Sequence, residues 1–198
     1  TSVSSDELKL WKTGEEFRIY PDVSAEDENG NSIESADVSV KVDSVQISDD
    51  LSLLDENKIP EEWKKAVGED GKLVENQLSY IKTGDGVEAL DEVVKTENVK
   101  QKLVFVTATY KNNSEVTLNH ILYLGNLMLL KSKDDTYQLY IENEQSGDNY
   151  DCIHSSSVAK AFDMGYYSVQ EAYGNGGNYI SSLKSGESVQ IEMAWIVD

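Results

Sequence analysis

Residues 103 to 120 read LVFVTATYKNNSEVTLNH, and the architecture of the whole chain turns on them. Val104, Val106, Ala108 and Tyr110 share one parity, while Leu103 and Phe105 take the other. After the polar break Lys111-Asn112-Asn113-Ser114, a second alternation sets Val116, Leu118, His120, Leu122 and Leu124 against Thr117, Asn119, Ile121 and Tyr123. A two-residue period belongs to a strand, because a helix repeats its face every 3.6 residues. The stretch therefore predicts a central strand buried on one side and partly covered on the other, a solvated corner, and a second strand that buries the His120 parity. Asn and Ser side chains at the corner can satisfy turn backbone groups, so its polarity has a structural cause.

The same period recurs on both sides. In SVQIEMAWIVD, Val189, Ile191, Met193, Trp195 and Val197 face one way, and Ala194 and Ile196 indicate a second covered face. LMLLKSKDDTYQLYI reads as strand, turn and strand. Val38, Val40 and Val42 oppose Val45 and Ile47 in parity, and a bulge near Asp43-Ser44 would return both sets to one core. Phe17 and Ile19 mark a short edge strand that Pro21 ends. The region from about 48 to 102 is the least regular. Pro60 to Val67 suits a short helix with Trp63 as a lid on the core, and Leu90 and Val94 suit a second from Val87 to Lys95. The fold class this predicts is all-β, an antiparallel sandwich of immunoglobulin type, with a largely irregular or short-helical insertion at about 48–102. Residues 1–13 are expected to be a tether and 14–198 a single domain.

Composition narrows the partners. With 37 acidic against 17 basic residues in 198, the formal charge is -20, which disfavours nucleic acid and anionic membranes. Arg18 is the sole arginine, so no cluster for bidentate phosphate recognition can be built. Cys152 is alone and forms no intrachain disulfide, which leaves the compartment open. No apolar run approaches the ~20 residues of a membrane-spanning helix.

The chemistry-bearing residues do not converge on a reaction. Cys152, His154 and His120 supply at most three zinc ligands at an unusual spacing. His154 beside three serines lacks a nucleophile elbow, and acidic pairs are too numerous to single out a glycosidase. Asp27-x-Asn29-x-Asn31 has a calcium-like start but Ser32 and Val38 where an EF-hand needs Gly and Glu, so a solvated turn is the favoured reading. Neither a catalytic residue, a metal nor a cofactor is assigned. Tyr166, Tyr167, Tyr173 and Tyr179 flank a Gly-Asn-Gly-Gly turn, and with Trp63 they are the candidate ligand-binding residues. The alternative is that these tyrosines alternate in and out of a hairpin.

VTATYKNNSE, the Lys-Asp-Asp-Thr-Tyr turn and LKSGESVQIEMAWIV together resemble the immunoglobulin-like domains of exported lipoproteins and secreted antigens of Gram-positive bacteria. The Asn-rich turn matches Lys111 to Ser114, and Ser185-Gly186-Glu187 stands where that family commonly has Pro-Gly-Glu. The resemblance implies a location at the outer face of the cell membrane, through a lipidated cysteine upstream, or secretion. It implies no reaction. The expected function is a noncatalytic cell-envelope interaction or structural module whose partner is an envelope protein or glycan. A carbohydrate-binding module, with exposed Trp11, Trp63 or the Tyr166 to Tyr179 group as a stacking platform, is the alternative.

Overall fold

The computed structural model describes residues 2–4, 9–19, 24–33, 36–127, 129–133, 136–140, 152–155, 164–169 and 177–198. The strands in chain order are β1 (Ser2–Ser4), β2 (Glu16–Ile19), β3 (Ala25–Glu26), β4 (Ser32–Ile33), β5 (Val38–Ser48), β6 (Glu75–Lys82), β7 (Glu92–Lys100) and β8 (Lys102–Asn112). They continue with β9 (Leu118–Leu122), β10 (Leu129–Lys133), β11 (Thr136–Tyr140), β12 (Cys152–Ser155), β13 (Tyr166–Tyr167), β14 (Tyr179–Leu183) and β15 (Ser188–Val197). One helical turn, α1 (Glu61–Lys64), and a 3-10 turn at Glu56–Lys58 lie between β5 and β6.

A five-stranded antiparallel sheet in the order β13-β15-β8-β5-β2 faces a four-stranded one in the order β14-β9-β3-β4. The two are held by apolar side chains from both inner faces. Val104, Val106, Ala108 and Tyr110 of β8 meet Ile191, Met193 and Trp195 of β15 and Leu118, Ile121, Ile180 and Leu183 from the opposite sheet. Complete burial of a large aliphatic side chain contributes about 1.5–3 kcal/mol, so this layer dominates the stability. The all-β sandwich expected from the periodicity is therefore the fold observed.

The outer face of the five-stranded sheet carries a second core. Leu103, Phe105, Ala194 and Ile196 are covered by Leu51, Leu54, Trp63 and Ala66 from the segment between β5 and β6. The region 48–102 thus begins as a cap on the sheet, with Trp63 as its central plug at 3% exposure.

Other expectations are corrected. Val87 to Lys95 is not a helix: Asp85 turns the chain at 86–91, and β7 then pairs with β6 from Glu92 onward. The β-branched residues Val93, Val94, Thr96 and Val99 favour that strand, and the Leu90-Val94 spacing is incidental. Residues 2–4, assigned to a tether, pair with β11. The bulge in β5 falls between Val42 and Ser44 as expected, but Val45 and Ile47 beyond it remain exposed. β2 accompanies β5 only at Val38–Lys41, so this end of β5 has no second neighbour among the described residues.

The second alternation also slips. His120 has φ of 50°, an uncommon left-handed conformation for a residue with a Cβ. Past it the buried residues are Ile121 and Tyr123, while Leu124 is exposed and Leu122 only half-buried. His120 itself is half-buried rather than a core histidine. The corner is solvated only in part, because Asn112 is fully buried while Lys111, Asn113 and Ser114 are half-buried.

Candidate functional site

The residues selected as possible ligand contacts do not form one surface. Trp63 and Tyr166 come together, but inside the second core, where Tyr166 is 1% exposed. The Tyr166 hydroxyl accepts the Asp55 N–H at 3.3 Å and donates to Glu192 Oε2 at 3.3 Å. Burial raises its pKa above the ordinary tyrosine value. Tyr167 points to the other side of the sheet, edge-on to Tyr123 at 6.3 Å between ring centroids. Tyr123 in turn donates to the Val169 carbonyl. Tyr179 is half-buried on β14 opposite Leu122. Tyr173 lies outside the described residues. Tyr166 and Tyr167 follow the in-and-out alternation of a strand, and a sugar ring has no face of Trp63 or Tyr166 to stack on.

The candidate metal ligands are also dispersed. His120 lies in the four-stranded sheet, whereas the backbones of Cys152 and His154 pair with Ile81 and Ser79 of β6 in another. Among the described residues, no group of three His, Cys, Asp or Glu side chains converges. Asp27 Oδ1 accepts the N–H groups of Asn29 and Asn31, each at 2.8 Å, and its Oδ2 accepts from Asn31 Nδ2 at 2.9 Å. Those bonds, the Asn31 side chain foremost, hold the Asp27 carboxyl below its ordinary range. The loop is thereby closed by its own groups.

What the fold does present is an arm. β6 and β7 form a hairpin that joins β12 in a separate three-stranded sheet of order β12-β6-β7. At its tip Val87 is 90% exposed and Leu90 88% exposed. An apolar pair so exposed usually marks a loose loop, yet this one is internally tied. Asp85 Oδ1 accepts the N–H groups of Val87, Glu88 and Ala89 at 2.8, 2.7 and 2.9 Å. The Gly84 N–H donates to Asp91 Oδ1 at 2.9 Å, and Gly86, in the left-handed region at φ 73°, donates to the Ala89 carbonyl. A side chain at Gly84 would overlap the Ala89 backbone.

The loop backbone therefore satisfies itself and leaves Val87 and Leu90 directed outward. The three N–H groups, Ala89 first, also lower the Asp85 pKa, so its carboxylate stays charged well into acid. Glu88, Asp91 and Glu92 make the surround acidic. Chemically, the tip can offer a small apolar knob inside a negative rim. Sequence inspection missed it because Leu90 and Val94 suggested a helix. The available signal was Gly84-Asp85-Gly86, a turn whose aspartate can gather successive N–H groups.

Compared with models of protein families, with curated proteins and with solved structures, the chain matches none of them.

Proposed function

We propose that the chain is a noncatalytic interaction module of the cell envelope, an immunoglobulin-like sandwich that holds out the β6–β7 arm for a protein partner. The location rests on the resemblance of the Asn112 corner, the Lys-Asp-Asp-Thr-Tyr turn and the LKSGES strand entry to exported immunoglobulin-like domains. The observation that carries the interaction is the preorganised tip, because exposing Val87 and Leu90 on a loop that could have folded over them forgoes apolar burial. A partner with an apolar recess edged by Lys or Arg complements the knob and its acidic rim. The carbohydrate reading draws less support, since Trp63 and Tyr166 lie in the core and the exposed Trp11 is stacked on Phe17.

The test uses the double variant Val87→Ser/Leu90→Ser. Wild-type protein is expected to bind Gram-positive envelope preparations saturably, and the variant to bind at least about tenfold more weakly, about 1.4 kcal/mol, at unchanged thermal midpoint. Equal retention of both proteins would remove the tip from the function. Saturable binding to a glycan array that survives the double variant would favour the carbohydrate reading instead.

A further inference from the structure

The arm carries a second feature, independent of its tip. β7 stands at the edge of its sheet, and no described strand pairs with its far side. It is nine residues long and contains no proline. Proteins usually blunt a long edge strand, because its outward backbone groups can capture another strand. The edge bears Lys95 and Lys100, which often serve as blockers, but their placement here is unusual.

EVVKTENVK is charge-complementary to its own reverse. When two copies of β7 are laid antiparallel with Thr96 facing Thr96, Lys95 of each copy faces Glu97 of the other. Lys95 and Glu97 already meet at 2.7 Å within one chain, so across the pair they complete a square of alternating charge. The neighbouring registers lack this match. Sliding by two residues one way sets Glu97 against Glu97, and the other way sets Lys95 against Lys95. The extra residue of the β6–β7 ladder, Val94, lies outside the Lys95–Glu97 centre.

We infer that β7 is the edge through which two copies of this chain join, antiparallel and centred on Thr96. Two sheets merge into one of order β12-β6-β7-β7-β6-β12, with the two tips at opposite ends. The contact is small, so the pair is weak and exchanges readily. Its ion pairs are exposed, so salt weakens it further.

Sedimentation equilibrium of the full chain at low salt tests this directly. The average mass is expected to rise toward twice that of the monomer between about 10 µM and 1 mM, a range suited to a weak interface. Lys95→Glu and Glu97→Lys each create two like-charge contacts and are expected to weaken association at least about tenfold. An equimolar mixture of the two variants restores complementarity, and its association is expected within about threefold of wild type. Because only the mixture recovers, misfolding of a single variant cannot imitate the result. A protein that stays monomeric to about 1 mM, association indifferent to both reversals, or a mixture that fails to associate would each overturn the proposal. None of these outcomes depends on what Val87 and Leu90 contact.

Discussion

Asn112 has no exposed surface, yet every polar atom of its carboxamide is used. Nδ2 donates to the carbonyls of Val116 and Leu183 at 2.8 and 2.9 Å, and Oδ1 accepts from the N–H and hydroxyl of Ser114 at 2.8 and 2.6 Å. Its backbone completes the tie, since Asn112 N donates to Glu187 O and Gly186 N donates to Asn112 O. One side chain thereby fastens the end of β8 to the turn between β14 and β15. Asn112→Ala would take the donor from the buried Leu183 carbonyl, at a cost of about 1–3 kcal/mol, and break the part-buried bonds to Val116 and Ser114 as well. A total loss of about 2–4 kcal/mol is expected by urea denaturation. Asn112→Asp keeps the shape but loses the same two donors, and should fall near the alanine variant rather than near wild type. Local sequence could place a turn at Asn112, but its burial comes from residues 183–187, far along the chain. The left-handed His120 was equally hidden, because parity counting assumes an unbroken pleat.

The strands with the longest alternation were the ones most legible in sequence. β8 and β15 bury one face and part of the other, as their patterns implied, since each lies inside a sheet whose outer side is capped over part of its length. The segment from 48 to 74 was harder, because its structure depends on docking rather than on its own period. Trp63 is the plug of that dock, and its indole lies against the backbone of Gly165, where a Cβ would overlap the ring. Trp63→Ala should destabilise by about 3–5 kcal/mol through lost burial and a cavity. Gly165→Ala should destabilise on its own but add almost nothing in the Trp63→Ala background, where the ring is gone. Additive losses in denaturant titrations would mean that the indole does not rest on Gly165. The burial of Trp63 and Tyr166 was hidden for a related reason: an aromatic side chain marks a surface platform and a core equally well until the layers are known.

At the scale of the molecule, charge sets the conditions of stability. A formal charge of -20 repels itself in the compact state, so added NaCl at pH 7 is expected to raise the melting temperature. Acidification toward the pI of about 4.3 relieves the same repulsion. Below that an opposite effect takes over. Asp27, Asp49 and Asp85 are held below 3.8 in the folded chain, by the Asn31 side chain, Lys102 and the Ala89 N–H respectively. Their stabilisation is present above 3.8 and disappears as pH falls through the lowered values. On the alkaline side, burial pushes the Tyr110 phenol from 10 up to about 12, so its contribution holds below pH 10 and is lost as pH rises through about 12. A melting profile that is highest near pH 5 and falls at both extremes is the expected result, and one that rises steadily to pH 11 would contradict it. The position of β15 matters for a different stage of the protein's life. Residues 188–197 insert between β8 and β13, so an inner position of the larger sheet is filled by a strand that leaves the ribosome long after its neighbour β8. Until it arrives, one edge of β8 lacks its hydrogen-bond partner. The chain can therefore stay threadable through most of its synthesis and close only late, when the second half of its hydrogen-bond ladder comes within reach.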